Sequence, residues 1–142
     1  MFRSLDDTIM VAPQISAADV AAAADQGVTL IINNRPEDES PDQTEGALIE
    51  AAAHAAGIEY LAIPITHAGF SLPQVDAMAA ALAHANGKVL AYCRSGTRST
   101  LLWALARASR GENVDMLAAK AGRAGYDLAP IRTMLDMAAT RG

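Results

Sequence analysis

The chain has 142 residues, of which 51% are hydrophobic and 19% charged, and its formal net charge is -5 at pH 7. This composition excludes an intrinsically disordered chain. The negative charge argues against nucleic acid or an anionic membrane as the main partner, so any anion-binding pocket has to be local.

The apolar runs and the cysteine content indicate the kind of protein and the cellular setting to expect. No apolar run approaches the roughly 20 residues that cross a bilayer, and the N-terminus lacks the apolar core of a signal peptide. Cys93 is alone in the sequence, which excludes an internal disulfide and makes a reducing cytoplasm the expected setting. The length favours one domain over residues 1–142.

The first part of the chain alternates short apolar runs with a helical pattern. Residues 8–13 predict a short strand, and Pro13 at its end favours a sheet edge. Residues 16–27 begin with a capping serine and end at a glycine, as helices do. The β-branched run 28–33 predicts a strand buried on both faces. The polar segment 34–46 contains two prolines and predicts a long loop, which is often functional.

The rest of the chain continues this alternation. In order, the sequence predicts helix 46–57, buried strand 58–65, loop 66–71, helix 72–87, strand 88–92, and helices 99–109, 113–122 and 129–140. The pattern predicts an α/β fold with a mostly parallel central sheet of about four strands, flanked by helices on both faces. Ligands of such sheets bind beyond the carboxyl ends of the strands. We therefore expect a site built from segments 33–39, 66–70 and 93–98.

The segment CRSGTR, residues 93–98, carries the strongest signal for chemistry. It follows a buried strand and opens a helix, where unpaired N–H groups favour a thiolate. Cys93 and Arg98 are the predicted catalytic residues, because a thiolate is a nucleophile and a guanidinium is a planar clamp for an oxyanion. The alternative is a small core cysteine.

The residues around Cys93 form a predicted anion-binding loop. Its members are Arg94, Ser95, Gly96, Thr97 and Ser99. Gly96 supplies the backbone freedom that lets N–H groups converge on an anion. We expect Arg94 to point outward, and Ser99 to cap the helix or bond the sulfur.

Secondary candidates lie at the same edge of the sheet. They are Asn34 and Arg35, which follow Asn33 at a strand end, and His67 in the next loop. The alternative is that Asn33, Asn34 and Arg35 cap the strand and pair with Glu37, Asp38 or Glu39, and that His67 is merely solvated. His54, His84 and Trp103 have no expected function, the last being assigned to the core. The sequence has no cluster of metal ligands and no dinucleotide fingerprint, so we expect neither metal nor cofactor.

Two motifs carry a resemblance to known families. The stretch YCRSGTRS resembles the active-site loops of rhodanese-type sulfurtransferases and, more loosely, of cysteine-dependent protein phosphatases. Together with INNRP, and over roughly residues 5 to 110, it resembles a bacterial family of beta-lactamase hydrolase-like, phosphatase-like domains (domain of unknown function 442). This resemblance implies a tyrosine or dual-specificity phosphatase fold. Family members also occur fused to sulfide-oxidising modules, so we expect this short chain to act alone or with a separate sulfide-oxidation partner.

The choice between sulfur and phosphorus chemistry depends on two features. Four residues separate Cys93 from Arg98, which resembles rhodaneses, whereas cysteine phosphatases carry one residue more and usually a histidine where Tyr92 stands. Ester cleavage also needs a proton donor, and the segment IPITHAGF offers only His67.

Both features favour a sulfurtransferase. It would move sulfane sulfur from thiosulfate or a persulfide through a Cys93 persulfide to an external thiol acceptor. Two alternatives stay open. One is a phosphatase that acts on a small phosphate ester through a phosphocysteine, and the other is a non-catalytic module that senses anions or persulfides.

Overall fold

Parallel strands form the centre of the sheet, and a short antiparallel strand lies at one edge. The computed structural model describes residues 1–141. Its strands are β1 (Arg3–Ser4), β2 (Ile9–Ala12), β3 (Val28–Asn33), β4 (Glu59–Ala62) and β5 (Lys88–Tyr92). Their order is β1-β2-β5-β3-β4; β1 runs antiparallel to β2, and the other pairs are parallel. The predicted fold class is confirmed, with one strand more than expected.

Helices cover both faces of this sheet. They are α1 (Ala17–Asp25), α2 (Gly46–Ala55), α3 (Leu72–His84), α4 (Thr97–Ser109), α5 (Val114–Arg123) and α6 (Arg132–Arg141), the last preceded by a 3₁₀ turn at Ala129–Ile131. The first two helices pack on one face, and α3, α5 and α6 gather around α4 on the opposite face. Trp103 of α4 is fully buried there, which confirms its assignment to the core.

Two of the helices begin at capping boxes that the sequence encodes. The Ser16 side chain accepts a hydrogen bond from the Asp19 N–H, and Asp19 in turn accepts the Ser16 N–H. Ser71 and Gln74 make the same reciprocal pair at the start of α3. Such pairs satisfy backbone donors that have no partner inside the helix. They fix where the chain leaves each loop at the edge of the sheet that carries the site.

The predicted edge position of β2 is wrong. β2 pairs with β1 on one side and with β5 on the other. Pro13 follows the last paired residue, Ala12, so its missing N–H removes no hydrogen bond from the sheet. The strand that makes β2 internal is β1, which has two residues and is too short to leave a periodic signal in the sequence.

The predicted burial of strand 58–65 is also wrong. β4 is shorter than that run and pairs with β3 alone, which makes it an edge strand, and Leu61 within it is 37% exposed. The apolar character of the run comes partly from Ile63 and Ile65, which lie beyond the strand and are buried in the core. Among residues 1–141, no helix combines the length and the apolar character needed to cross a membrane.

Candidate active site

Cys93 lies at the junction between the sheet and a helix. β5 ends at Tyr92, and α4 begins at Thr97, two residues earlier than the sequence predicts. Between them, Gly96 has a φ of 90°, a left-handed conformation that glycine adopts readily. This turn directs the Gly96 N–H to the Cys93 Sγ at 3.1 Å. The buried sulfur therefore has a backbone donor aimed at it, at the positive end of a helix dipole.

Arg98 forms a bidentate ion pair with a carboxylate of the same chain. Its Nη1 and Nη2 donate to the two carboxylate oxygens of Glu39 at 2.7 and 2.8 Å, and Nη1 also donates to the Ile65 carbonyl at 2.7 Å. Glu39 is the main cause that raises the pKa of Arg98, and the neighbouring Cys93 adds to the rise. The guanidinium is thus permanently charged and fixed beside the sulfur.

Glu39 lies between two arginines. In addition to Arg98, the Arg35 Nε donates to Glu39 Oε1 at 2.9 Å. The other arms of Arg35 donate to Gln14 Oε1 and Ser40 Oγ, each at 3.1 Å, and only 5% of its side chain is exposed. Hydrogen bonds from Arg98 and, secondarily, from Arg35 lower the pKa of Glu39 to about 2. Glu39 is therefore a carboxylate at neutral pH and cannot donate a proton there.

Asn34 ties together the three segments that were expected to form the site. Its N–H donates to the Tyr92 carbonyl at 2.8 Å, its Nδ2 donates to the Ile63 carbonyl at 2.9 Å, and its carbonyl accepts the Ile65 N–H at 2.9 Å. The end of β5 before Cys93 and the segment Ile63–Ile65 before His67 are thereby held against the end of β3.

Asn33 and Arg35 cap the strand and pair within the protein, as the alternative interpretation of the sequence predicts. Asn33 donates to the Tyr60 hydroxyl and accepts the Arg35 N–H, both at 2.9 Å, and Arg35 pairs with Glu39. Since Arg35 is nearly buried and its side-chain donors face partners within the chain, it supports Glu39 instead of facing an incoming anion.

The remaining sequence candidates have different surroundings. Arg94 is exposed, as expected, and Ser95 and Thr97 bond each other through their hydroxyls at 3.1 Å. The expected roles of Ser99 are wrong for this conformation. Its hydroxyl is buried and has no hydrogen-bond partner among residues 1–141, so it neither caps the helix nor bonds the sulfur. His67 is exposed in the turn that follows Ile65.

Glu39 is the site residue that the sequence alone does not identify. It stands in the acidic run Glu37–Asp38–Glu39, and the neighbouring Glu37 accepts the Gly46 N–H at the start of α2. The two glutamates are chemically identical, so only the path of the loop assigns one to Arg98 and the other to a helix end. Within the described part of the chain, no cluster of three or more His, Cys, Asp or Glu side chains could hold a metal ion.

Comparison with known proteins identifies relatives of both sequence and fold. The beta-lactamase hydrolase-like protein of Xylella fastidiosa is 30% identical over 93% of this chain and 31% of its own length; the chain thus spans about a third of that relative. A Neisseria meningitidis protein described as a candidate phosphatase is 35% identical, with a TM-score of 0.84 over 96% of each chain. The active form of Tk-PTP aligns with a TM-score of 0.77 over 99% of this chain and 97% of its own, but at 17% identity it shows the fold alone.

These relatives confirm the expected phosphatase-type fold and correct the expected chemistry. The sulfurtransferase interpretation is wrong, because the matching proteins are phosphatase-like and no rhodanese is among those described above. The external thiol acceptor that sulfur transfer would require is therefore not supported either. The spacing between Cys93 and Arg98 wrongly favoured sulfur transfer. It sets the number of N–H groups in the loop, but it does not determine the fold in which the loop stands.

The acid argument failed for a different reason. It took the absence of Asp and Glu from segment 63–70 as evidence against ester cleavage, although that segment contains His67, and histidine can also serve as a general acid. Glu39 reaches Arg98 from another loop but stays ionised, so it does not replace His67 as a proton donor. The family model that matches residues 1–110 is described as the phosphatase-like domain of beta-lactamase hydrolase-like proteins. With more than half of its length matched, the chain belongs to this phosphatase-like family.

Proposed function

We propose that the chain hydrolyses a small phosphate monoester through a phosphocysteine at Cys93. The observation that carries this proposal is the pairing of the Cys93 Sγ with the Gly96 N–H at the start of α4, directly beside the guanidinium of Arg98. A nucleophile, a backbone donor and a fixed cation thereby converge where a phosphoryl group would be attacked. The phosphatase-like family and the related Neisseria protein support the same chemistry.

The first step transfers the phosphoryl group to sulfur. The Cys93 thiolate attacks phosphorus, the ester P–O bond breaks, and the alcohol leaves after taking up a proton. Arg98 and the N–H groups of residues 94–98 stabilise the charge on the phosphoryl oxygens. Cys93 is fully buried, whereas the neighbouring guanidinium of Arg98 is 21% exposed and can meet an anion at the surface.

The second step regenerates the thiolate. Water attacks the phosphocysteine and gives a proton to the side chain that protonated the alcohol in the first step; the P–S bond breaks, and inorganic phosphate leaves. Water thus takes the place of the thiol acceptor that sulfur transfer would have required.

His67 is the side chain we assign to protonate the leaving alcohol. Glu39 cannot do so, because Arg98 and Arg35 hold its pKa at about 2. His67 lies two residues after Ile65, whose carbonyl accepts a hydrogen bond from Arg98, and histidine is the side chain that most often acts as a general acid. Its exposed position in the turn leaves it free to approach a bound ester.

The test is turnover of an aryl phosphate together with capture of the intermediate. The wild-type chain should release the phenol, and rapid acid quenching should trap one phosphate on the peptide that contains Cys93. Cys93→Ser is the matched control, since it keeps the size of the side chain and removes the thiolate. If the wild type binds inorganic phosphate but forms neither product nor adduct, the chain is an anion-binding module and the proposal is wrong.

A further inference from the structure

Tyr126 contacts the Cys93 loop from a part of the chain beyond the residues that the family model matches. Its hydroxyl donates a long hydrogen bond, 3.3 Å, to the Ser95 carbonyl. The hydroxyl also lies directly against Gly96, where any Cβ would overlap it. The match to the family ends at residue 110, so this contact is additional to the elements that the family model describes.

Arg3 holds Tyr126 in this position. The guanidinium of Arg3 lies over the Tyr126 ring, 5.5 Å from its centre, and donates to the Ala124 carbonyl at 3.0 Å. Strand β1 carries this arginine. Burial raises the pKa of Tyr126, and Cys93 adds to the rise, so the hydroxyl keeps its proton at neutral pH and stays a donor.

The bond from Tyr126 acts on the same peptide unit that serves the nucleophile. The Ser95 carbonyl and the Gly96 N–H belong to one planar peptide, and the chain contains no cis peptide bond among its described residues. In a trans peptide these two groups point in opposite directions. Tyr126 binds the carbonyl on one side, and the Cys93 sulfur accepts the N–H at 3.1 Å on the other.

The Ser95–Gly96 peptide can rotate because Gly96 carries no Cβ. Gly96 has a φ of 90°, and glycine populates negative φ about as readily. A rotated peptide would withdraw the N–H and turn the carbonyl oxygen toward the sulfur. An oxygen dipole there would disfavour both the thiolate and an anionic substrate.

We propose that Tyr126 is a positioning residue that locks the Ser95–Gly96 peptide with its N–H on the Cys93 sulfur, and that Arg3 holds Tyr126 in place. The consequence for turnover rests on the proposed phosphatase function. The consequence for the thiolate does not, which allows the two to be tested separately.

The thiolate is measured first, by its ultraviolet absorbance during a pH titration. Cys93 is the only cysteine, so for each Tyr126 variant the tyrosine signal is removed by subtracting the curve of the same variant that also carries Cys93→Ser. In Tyr126→Phe the ring and the stacking of Arg3 remain, and only the donor is lost. We expect the titration midpoint of Cys93 to rise by about one pH unit, a tenfold change in the dissociation constant, as for a hydrogen bond to a charged group.

Two further variants separate the hydroxyl from the ring and from the loop. Tyr126→Leu should shift the midpoint about as far as Tyr126→Phe if the hydroxyl is responsible. Asp127→Ala breaks the neighbouring bond to the Ala129 N–H and should leave the midpoint unchanged. A Tyr126→Phe curve that coincides with the wild type, with Tyr126→Leu shifted or not, overturns the proposal.

Turnover of the aryl phosphate is measured second on the same variants. Tyr126→Phe should lower kcat by up to about tenfold at pH values below the titration midpoint of Cys93 and lower it less at higher pH, where the thiolate is restored, while the thermal midpoint of unfolding stays close to the wild type. A rate loss that is equal at every pH indicates a merely structural role and overturns the proposal. If the wild type shows no turnover but the midpoint still shifts, the phosphatase function fails and the role of Tyr126 stands.

Discussion

The loop of residues 93–98 and the loop of residues 34–45 build the same site in different ways. The first loop places a nucleophile, a backbone donor and a guanidinium within six consecutive residues. The second loop supplies Glu39, which reaches Arg98 across a sequence separation of 59 positions. The groups that attack and bind the phosphoryl group are thus local in sequence, whereas the proposed proton donor His67 and the carboxylate that orients Arg98 are distant.

This difference has a physical cause. A helix N-terminus gathers N–H groups wherever a strand, a short turn and a helix follow one another, so a thiolate pocket can be encoded by one short segment. The five donors of a guanidinium, in contrast, need acceptors on several sides. For Arg98, in the first turn of α4, these acceptors come from the Glu39 carboxylate and the Ile65 carbonyl, because the short loop before this helix folds toward the sulfur and offers the guanidinium no oxygen acceptor of its own.

His67→Ala tests whether a loop outside residues 93–98 takes part in the reaction itself, and it carries the largest expected effect. If His67 protonates the leaving group, the variant should lose about 10²–10⁴ in rate with an alkyl phosphate, whose alcohol is a poor leaving group. An aryl phosphate with an acidic phenol needs little protonation and should be cleaved almost normally. The measurement is kcat/KM for both esters.

The control for this variant is His54→Ala, which removes an exposed histidine from α2 on the other side of the sheet. It should affect neither ester. Equal losses on both esters would assign His67 to positioning, and no loss on either would remove it from the reaction.

Arg98→Lys tests whether the reaction needs the planar, bidentate geometry of the guanidinium or only its positive charge. A lysine ammonium cannot bind Glu39 and a phosphoryl group in one plane. We expect a loss of about 10²–10³ in kcat, the range seen when one fixed donor to a developing oxyanion is removed. Arg110→Lys makes the same change at the exposed C-terminal end of α4 and should act like the wild type. If Arg98→Lys keeps full activity, charge alone is sufficient and the bidentate geometry is irrelevant.

The part of the site that is local in sequence can be predicted from the sequence. The order of strand, cysteine, glycine and arginine predicts the turn at Gly96 and the helix after it, and the alternating pattern predicts the parallel sheet. Strand β1 escapes prediction because two residues show no periodicity. β4 looks buried in the sequence because its apolar run continues past the strand to Ile65, which packs in the core.

The contacts between residues that are far apart in the sequence leave no comparable signal. Glu37 and Glu39 differ only in where the loop directs them, and that path includes Asp38 with a φ of 62°, a left-handed conformation that aspartate tolerates better than most residues. Tyr126 lies 31 residues after Ser95, and nothing in its local sequence points to the loop. The choice of sulfur over phosphorus failed for the same reason, since it weighed one loop and one spacing without the contacts between loops.

Glu39→Gln tests whether the distant carboxylate orients Arg98. The amide keeps the shape but loses the charge and one acceptor oxygen, so we expect kcat to fall about tenfold, as for a lost charged hydrogen bond. KM should not rise, because a negative charge beside the phosphate site has been removed. Steady-state kinetics with an aryl phosphate measure both constants.

The matched control is Glu37→Gln, two residues away in the same loop. Glu37 binds the Gly46 N–H at the start of α2, so this variant should cost some stability and leave kcat unchanged. A tenfold fall in both variants would mean that kcat depends on the shape of the loop as a whole and not on the contact between Glu39 and Arg98.

The smallest effect concerns stability in acid. The pKa of Glu39 is lowered from its ordinary 4.5 to about 2 in the folded chain, so its ionised form is stabilised by folding. That contribution is fully present above about pH 4.5 and is lost as the pH falls toward 2. The free energy of unfolding of the wild type should exceed that of Glu39→Gln by on the order of 1 kcal/mol at neutral pH. Denaturant titrations of both proteins at neutral pH and near pH 2 measure the difference, which should shrink toward zero in acid. A difference that persists unchanged in acid would show that Glu39 acts through packing and neutral hydrogen bonds, and the electrostatic account of how the loop of residues 34–45 holds Arg98 would be wrong.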